Sequence, residues 1–201
     1  LHLLSRRQRQ MCIRDRYAPY LAVCLKSLAV HVACDERYRI IVMCDNVKNI
    51  TMIQLRNVIK DYENIDIEFV DIRKKMYEYS ESFGQTVTDR QENRLYSGEF
   101  TLTIYFRLFI AELFPELNKA VYIDSDTVIN DDIAKLYSVD MGDAMFGAVR
   151  DTFAGKNTIL AHYIENVVGI ERDEYVNSGV LLMNLDKIRP VSYTHLTLPT
   201  T

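Results

Sequence analysis

Short apolar, β-rich runs alternate with segments of helical period along most of this chain, and that alternation constrains the fold more than any other feature. From Tyr17 to about Ala33, Leu21, Cys24, Leu25 and Leu28 recur at helical spacing, and Pro19 suits the opening turn. Arg39 to Cys44 is a compact apolar run that predicts a buried strand. Asn49 to Tyr62 predicts a second helix, with Ile50, Ile53, Val58, Ile59 and Tyr62 on its core side. Ile65, Ile67 and Phe69 alternate with Asp66 and Glu68, the pattern of a half-buried strand. Residues 72–97 are polar and predict a long loop, followed by an aromatic-rich helix from Thr101 to Phe114 that Pro115 stops. Further strands are expected at the run through Ile123, at Met145–Val149 and at Gly179–Met183, with helical segments at Ile133–Tyr137 and Thr158–Val168. Strands interleaved with helices in this way imply an α/β fold, a mainly parallel sheet covered by helices on both faces.

The two ends stand apart. Residues 1–16 carry five arginines against Asp15 and show neither a helical nor a strand period, so no element is expected before Tyr17. Arg9 to Arg16 resembles a peptide produced by translating sequencing-adapter DNA, and Val191 to Thr201 resembles the matching product at the other end. The expectation is therefore one incomplete domain over 17–190, with 1–16 and 191–201 non-native. The whole chain has a formal charge of −4, but without those ends 19 basic and 27 acidic residues remain, a charge of −8. A basic footprint for nucleic acid is then missing, and no nucleic-acid partner is expected. No apolar run approaches the ~18 residues of a membrane span. Cys12, Cys24, Cys34 and Cys44 form no C-x-x-C pair, which argues for reduced thiols and a cytoplasmic setting rather than a zinc site.

Chemistry concentrates at Val121-Tyr122-Ile123-Asp124-Ser125-Asp126, an apolar run that ends in two carboxylates at i and i+2. On a strand, period-two alternation would send both to the same side, at the strand end where open α/β sheets place their ligands. Paired hard oxygens suit Mg²⁺, Mn²⁺ or Ca²⁺. An EF-hand loop starting at Asp124 fails, because Val128 holds a ligand position and Ile129 stands where the turn needs glycine. Two enzyme chemistries remain. In a phosphotransferase of the haloacid dehalogenase type, Asp124 would attack phosphorus and Asp126 would act as acid and base. In glycosyl transfer from a nucleotide sugar, the pair would hold a divalent cation against the diphosphate as it departs. A catalytically dead nucleotide-sugar-binding module is the non-enzyme alternative.

Wider context favours the second chemistry. Tyr17-Ala18-Pro19-Tyr20-Leu21, Tyr105-Phe106-Arg107-Leu108, Tyr122 to Asp126 and Asn177 to Leu185 occur in the order seen in bacterial members of glycosyltransferase family 8, which this chain resembles. The resemblance implies a GT-A fold and a retaining hexosyltransferase. It also implies Mn²⁺ (or Mg²⁺) as cofactor, UDP-glucose or UDP-galactose as donor, and a saccharide or lipid-linked acceptor, as in lipopolysaccharide biosynthesis. Such an enzyme would be cytoplasmic, peripheral at the inner face of the plasma membrane. By the same resemblance Asp124 and Asp126 are metal ligands, and Ser125 lies between them in the donor site. Tyr17 packs on the uracil, and Arg107 lies by the donor and braces the acidic pair. Asp151 hydrogen-bonds donor-sugar hydroxyls, Asn177 contacts the transferred sugar, and Ser178 and Gly179 form a turn after it. A third metal ligand, a late His, is expected beyond residue 190.

Overall fold

The computed structural model describes residues 6–13, 17–45, 47–72, 74–75, 107, 109–153 and 158–195, with backbone alone at 6–13, 158 and 192–195. The expected loop beyond residue 75 and most of the expected helix before Ile110 lie outside the described residues. The chain opens with β1 (Arg6–Ile13), α1 (Ala18–Ala29), β2 (Arg37–Cys44), α2 (Asn49–Val58) and β3 (Ile65–Asp71). It continues through α3 (Ile110–Leu113), β4 (Lys119–Ile123), α4 (Ala134–Tyr137), β5 (Phe146–Arg150) and α5 (Thr158–Tyr163), which runs on into a π-helical turn at Ile164–Val168. β6 (Val176–Asn184) and α6 (Leu185–His195) complete the order.

The six strands form one sheet in the order β3-β2-β1-β4-β6-β5. β3, β2, β1 and β4 pair in parallel, and β6 alone runs against its neighbours β4 and β5. Two apolar layers flank it, because buried strands sort alternate side chains to opposite faces. Ile40, Val42, Val121 and Ile123 pack with Leu21, Leu25, Leu28, Leu55 and Ile59 of the α1–α2 side. Ile41, Met43 and Tyr122 pack with Ile110, Phe114, Leu185 and Ile188 on the α3–α6 side. The mainly parallel sheet covered on both faces is thus as the sequence predicts.

Three local expectations are corrected. First, residues 1–16 are not without structure: Arg6–Ile13 is a strand, paired along its length with β2 and through Arg9 and Gln10 with Val121 and Tyr122. A parallel sheet leaves rows of backbone N–H and C=O groups on β2 and β4, and a strand between them satisfies both rows whatever its side chains. That is why a polar, aperiodic segment occupies the centre. Likewise α6 crosses residue 191, continuous from Leu185 to His195. Second, the core side of the α2 segment holds Val58, Ile59 and Tyr62 as expected but takes Leu55 in place of Ile50 and Ile53, which are more than half exposed. Third, β6 begins at Val176, so Asn177 and Ser178 lie in the strand rather than in a preceding turn.

Candidate active site at the carboxyl edge of the sheet

The strand order runs outward in opposite directions from the β1/β4 pair, which makes that junction the topological switch point where open α/β sheets leave a crevice. Asp124 follows β4 and Tyr17 follows β1, so both stand at this edge. β6 is antiparallel, so its first residues, Val176 to Gly179, return to the same edge; β5 delivers Asp151 there, with Val149 opposite Asn177. Six of the seven residues singled out from sequence (Tyr17, Asp124, Ser125, Asp126, Asp151 and Asn177) thus gather at one sheet edge through the ends of four strands.

The acidic pair sits there for a reason other than strand alternation. β4 ends at Ile123, and Asp124, Ser125 and Asp126 enter a turn in which the Thr127 N–H donates to the Asp124 carbonyl at 3.3 Å. The turn, not a period of two, brings the carboxylates near one another. Asp124 is half-buried, Ser125 is buried and Asp126 is exposed. The backbone N–H of Asp124 donates to the Gly179 carbonyl at 2.7 Å, which fixes the turn to β6.

Asp124 Oδ1 accepts from the Tyr122 hydroxyl at 2.6 Å and from Arg107 Nη2 at 3.3 Å. Arg107 also donates through Nη1 to the Ser178 carbonyl at 2.6 Å and to Ser178 Oγ at 3.0 Å. Its guanidinium lies 4.7 Å from the centre of the Tyr122 ring. Arg107 thus joins the approach to α3 with the turn after β4 and with Ser178 of β6. Burial raises the Asp124 carboxyl above the ordinary carboxylate range, opposed by the Tyr122 hydrogen bond and Arg107, and the Asp126 charge adds to the rise. Two crowded carboxylates of this kind favour a counter-cation.

Asn177 Oδ1 accepts from the Gly179 N–H at 2.8 Å, which leaves its amide N–H₂ as the group available to a ligand. Asp151 Oδ1 accepts from the Phe153 N–H at 3.0 Å, and the Asp151 N–H donates to the Tyr175 carbonyl. Asp151 and Asn177 line one cavity of about 350 Å³ together with Arg150, Phe153 and Val180. Tyr17 is 38% exposed at the start of α1, its ring 6.2 Å from that of Tyr20. Sequence reasoning passed over Tyr122 and gave Gly179 only a turn. The signal for Tyr122 was present, since a strand residue two before Asp124 shares its face. Nothing local marked the approach of Gly179 to Asp124, which comes from the segment after β4.

A sequence profile described as glycosyl transferase family 8 matches residues 10–199. The chain belongs to glycosyltransferase family 8. This family-8 chain is 28% identical over 171 residues to a Haemophilus influenzae protein named as a glycosyltransferase, covering 85% of itself and 46% of that protein. It is 24% identical over 196 residues to general stress protein A of Bacillus subtilis, covering 96% of itself and 59% of the relative. The chain therefore spans about half the length of these relatives. Among solved structures, the galactosyltransferase LgtC in complex with donor and acceptor sugar analogues superposes with a TM-score of 0.65 at 25% identity, covering 93% of this chain and 63% of LgtC. The bifunctional glycosyltransferase WbbM shares the fold at a TM-score of 0.75 and 23% identity, over 94% of this chain and 33% of WbbM. Its neighbours are GT-A-type glycosyltransferases, and the GT-A expectation holds. Family membership sets the dehalogenase-type phosphotransferase aside.

The donor chemistry of the acidic pair fits a hard divalent cation. Asp124 Oδ2 and the Asp126 carboxylate meet no hydrogen-bond donor among the described residues, and both are oxygen ligands of the kind Mg²⁺ and Mn²⁺ take. Among the described residues there is no group of three or more His, Cys, Asp or Glu side chains that could hold a metal. Two protein carboxylates completed by ligand phosphates is a common arrangement for such ions. No helix among the described residues is long and apolar enough to cross a membrane.

Proposed function

We propose that the protein is a metal-dependent retaining hexosyltransferase that uses a UDP-sugar donor and a saccharide or lipid-linked acceptor. The observation that carries this reading is the Asp124 carboxylate at the switch point of the sheet, one oxygen held by Tyr122 and Arg107, with the charge of Asp126 acting on the same carboxyl. A bound Mn²⁺ or Mg²⁺ would supply neutralisation of the charge that develops on the departing diphosphate.

The chain's own residues do the rest. Asp124 and Asp126 hold the cation, and the buried Ser125 keeps the turn between them packed. Tyr17 offers an aromatic face at the end of β1 for the uracil. Arg107 keeps β4 and β6 in register at the site, and its charge favours an anionic donor. In the adjoining cavity, Asp151 accepts from sugar hydroxyls and the Asn177 amide donates to them. UDP-glucose and UDP-galactose both match these groups. Lipopolysaccharide assembly at the cytoplasmic face of the plasma membrane is the setting that the family resemblance favours.

Thermal unfolding with ligands tests the reading. UDP should raise the midpoint only with Mn²⁺ present, and Asp126→Ala should remove the rise. Equal stabilisation by UDP with and without Mn²⁺ would refute the metal assignment. UDP-sugar turnover by a longer version, measured by UDP release, separates the transferase from a binding-only module.

A further inference from the structure

We infer that Tyr122 is a positioning residue whose phenol sets which oxygen of Asp124 is presented to a cation, with Gly179 as the wall that makes the setting unique. The inference rests on the reading of Asp124 as a cation ligand. Tyr122 is 2% exposed and lies in the core on the α3–α6 side of the sheet. A phenylalanine would fill that space equally well, so packing does not explain the hydroxyl. A buried phenol needs a polar partner, and this one donates to Asp124 Oδ1 at 2.6 Å, within the short range of a hydrogen bond to a charged oxygen.

The geometry follows from the strand end. Asp124 directly follows β4, its N–H still held by the Gly179 carbonyl, and the Tyr122 hydroxyl reaches its carboxylate from within the strand. Arg107 lies against the same ring and meets the same oxygen from another side. With two donors on Oδ1, its lone pairs are taken, and Oδ2 is the oxygen left for a metal. Oδ2 in turn lies against bare backbone. A Cβ on Gly179 would stand 3.0 Å from Asp124 Oδ2 and 3.0 Å from Asn177 Oδ1, tighter than most Cβ contacts, so these oxygens would have to shift. The Asp124 N–H bonded to the Gly179 carbonyl at 2.7 Å fixes the base of the same side chain. Backbone, phenol, guanidinium and the missing side chain together leave the carboxylate one orientation. Hydrogen bonds that orient a metal ligand are worth about 10–100-fold in affinity where they have been removed.

The experiment is Mn²⁺ binding to the 201-residue chain, followed by the electron paramagnetic resonance signal of free Mn²⁺, for the parent, Tyr122→Phe and Gly179→Ala. Tyr122→Phe should keep its unfolding midpoint without metal to within about 4 °C and bind Mn²⁺ about tenfold more weakly. Gly179→Ala, which leaves the phenol in place but crowds Oδ2, should show a comparable loss. Parent-like Mn²⁺ affinity in a folded Tyr122→Phe overturns the inference and leaves the metal site standing. Should Tyr122→Phe not fold, parent-like affinity in Gly179→Ala overturns it. No Mn²⁺ binding by the parent itself overturns the metal reading, and this inference with it.

Discussion

At the scale of single residues, Glu112 is the least comfortable group in the described structure. It sits in α3, 8% exposed, and neither carboxylate oxygen has a hydrogen-bond partner. Burial raises its carboxyl above the ordinary range, against the opposing charge of Arg189. The folded chain therefore keeps this proton to higher pH than the unfolded chain does. Between the ordinary and the raised value the native state binds more protons, so stability falls as pH rises through that window and is flat beyond it. Glu112→Met should remove this slope and stabilise the protein by about 1–3 kcal/mol at about pH 8, checked by urea denaturation across the window. The thiols give a second prediction. Burial pushes the Cys44 thiol up to about 12, and Cys24 is fully buried, while Cys34 is exposed. Of these three, Cys34 alone should react quickly with a thiol reagent at about pH 8, and mass mapping would identify it. Arg107→Ala should cost more than its single ion pair, because the guanidinium also holds the Ser178 carbonyl and covers Tyr122. The expected result is a loss of UDP-dependent stabilisation in thermal unfolding, with the fold retained.

At the scale of elements, the site depends on how α6 and β6 are tied to β4. Arg189 on α6 donates to the Ala111 carbonyl at 3.0 Å and to the Leu117 carbonyl at 2.8 Å, with Asp186 as its ion-pair partner. Those carbonyls flank the segment that leads from α3 into β4. Arg189→Ala should destabilise the protein by about 1.5–3 kcal/mol, the worth of hydrogen bonds to a charged donor, and denaturant midpoints would measure it. The elements also show what periodicity can and cannot tell. Helical spacing at Leu21, Cys24, Leu25 and Leu28 located the buried side of α1, all four residues being buried. The same logic placed Val58, Ile59 and Tyr62 on the core side of the α2 segment correctly but included Ile50 and Ile53, which are exposed, and missed Leu55, which is buried. Asn177 read as a turn residue because Asn, Ser and Gly commonly make turns; pairing with Val149 of β5 drew it into β6 instead.

At the scale of the whole molecule, β1 holds the two halves of the sheet together. Its neighbours are β2 on one side and β4 on the other, so α1 and α2 are linked to the acidic turn through it. A chain starting at Tyr17 would expose two facing strand edges in the middle of the sheet. It should lose cooperative unfolding, a result that circular dichroism on heating would register; a cooperative transition in that shortened chain would mean that the central strand is dispensable.

The amino-acid sequence by itself determined the class of fold, since interleaved strand and helix patterns admit few sheets, and it singled out the Asp124–Asp126 segment, since two carboxylates directly after an apolar run stand out. It also placed Arg107 beside the acidic pair through the family resemblance. Only the tertiary structure decided that Arg6–Ile13 is the central strand, because backbone hydrogen bonding between neighbours carries no side-chain signature. Only it decided that a turn rather than strand alternation gathers the carboxylates, and that Tyr122 and Gly179 fix Asp124 from two sides. Residues 124 and 179 meet across segments far apart in the chain, and contacts at that separation leave no mark in local pattern.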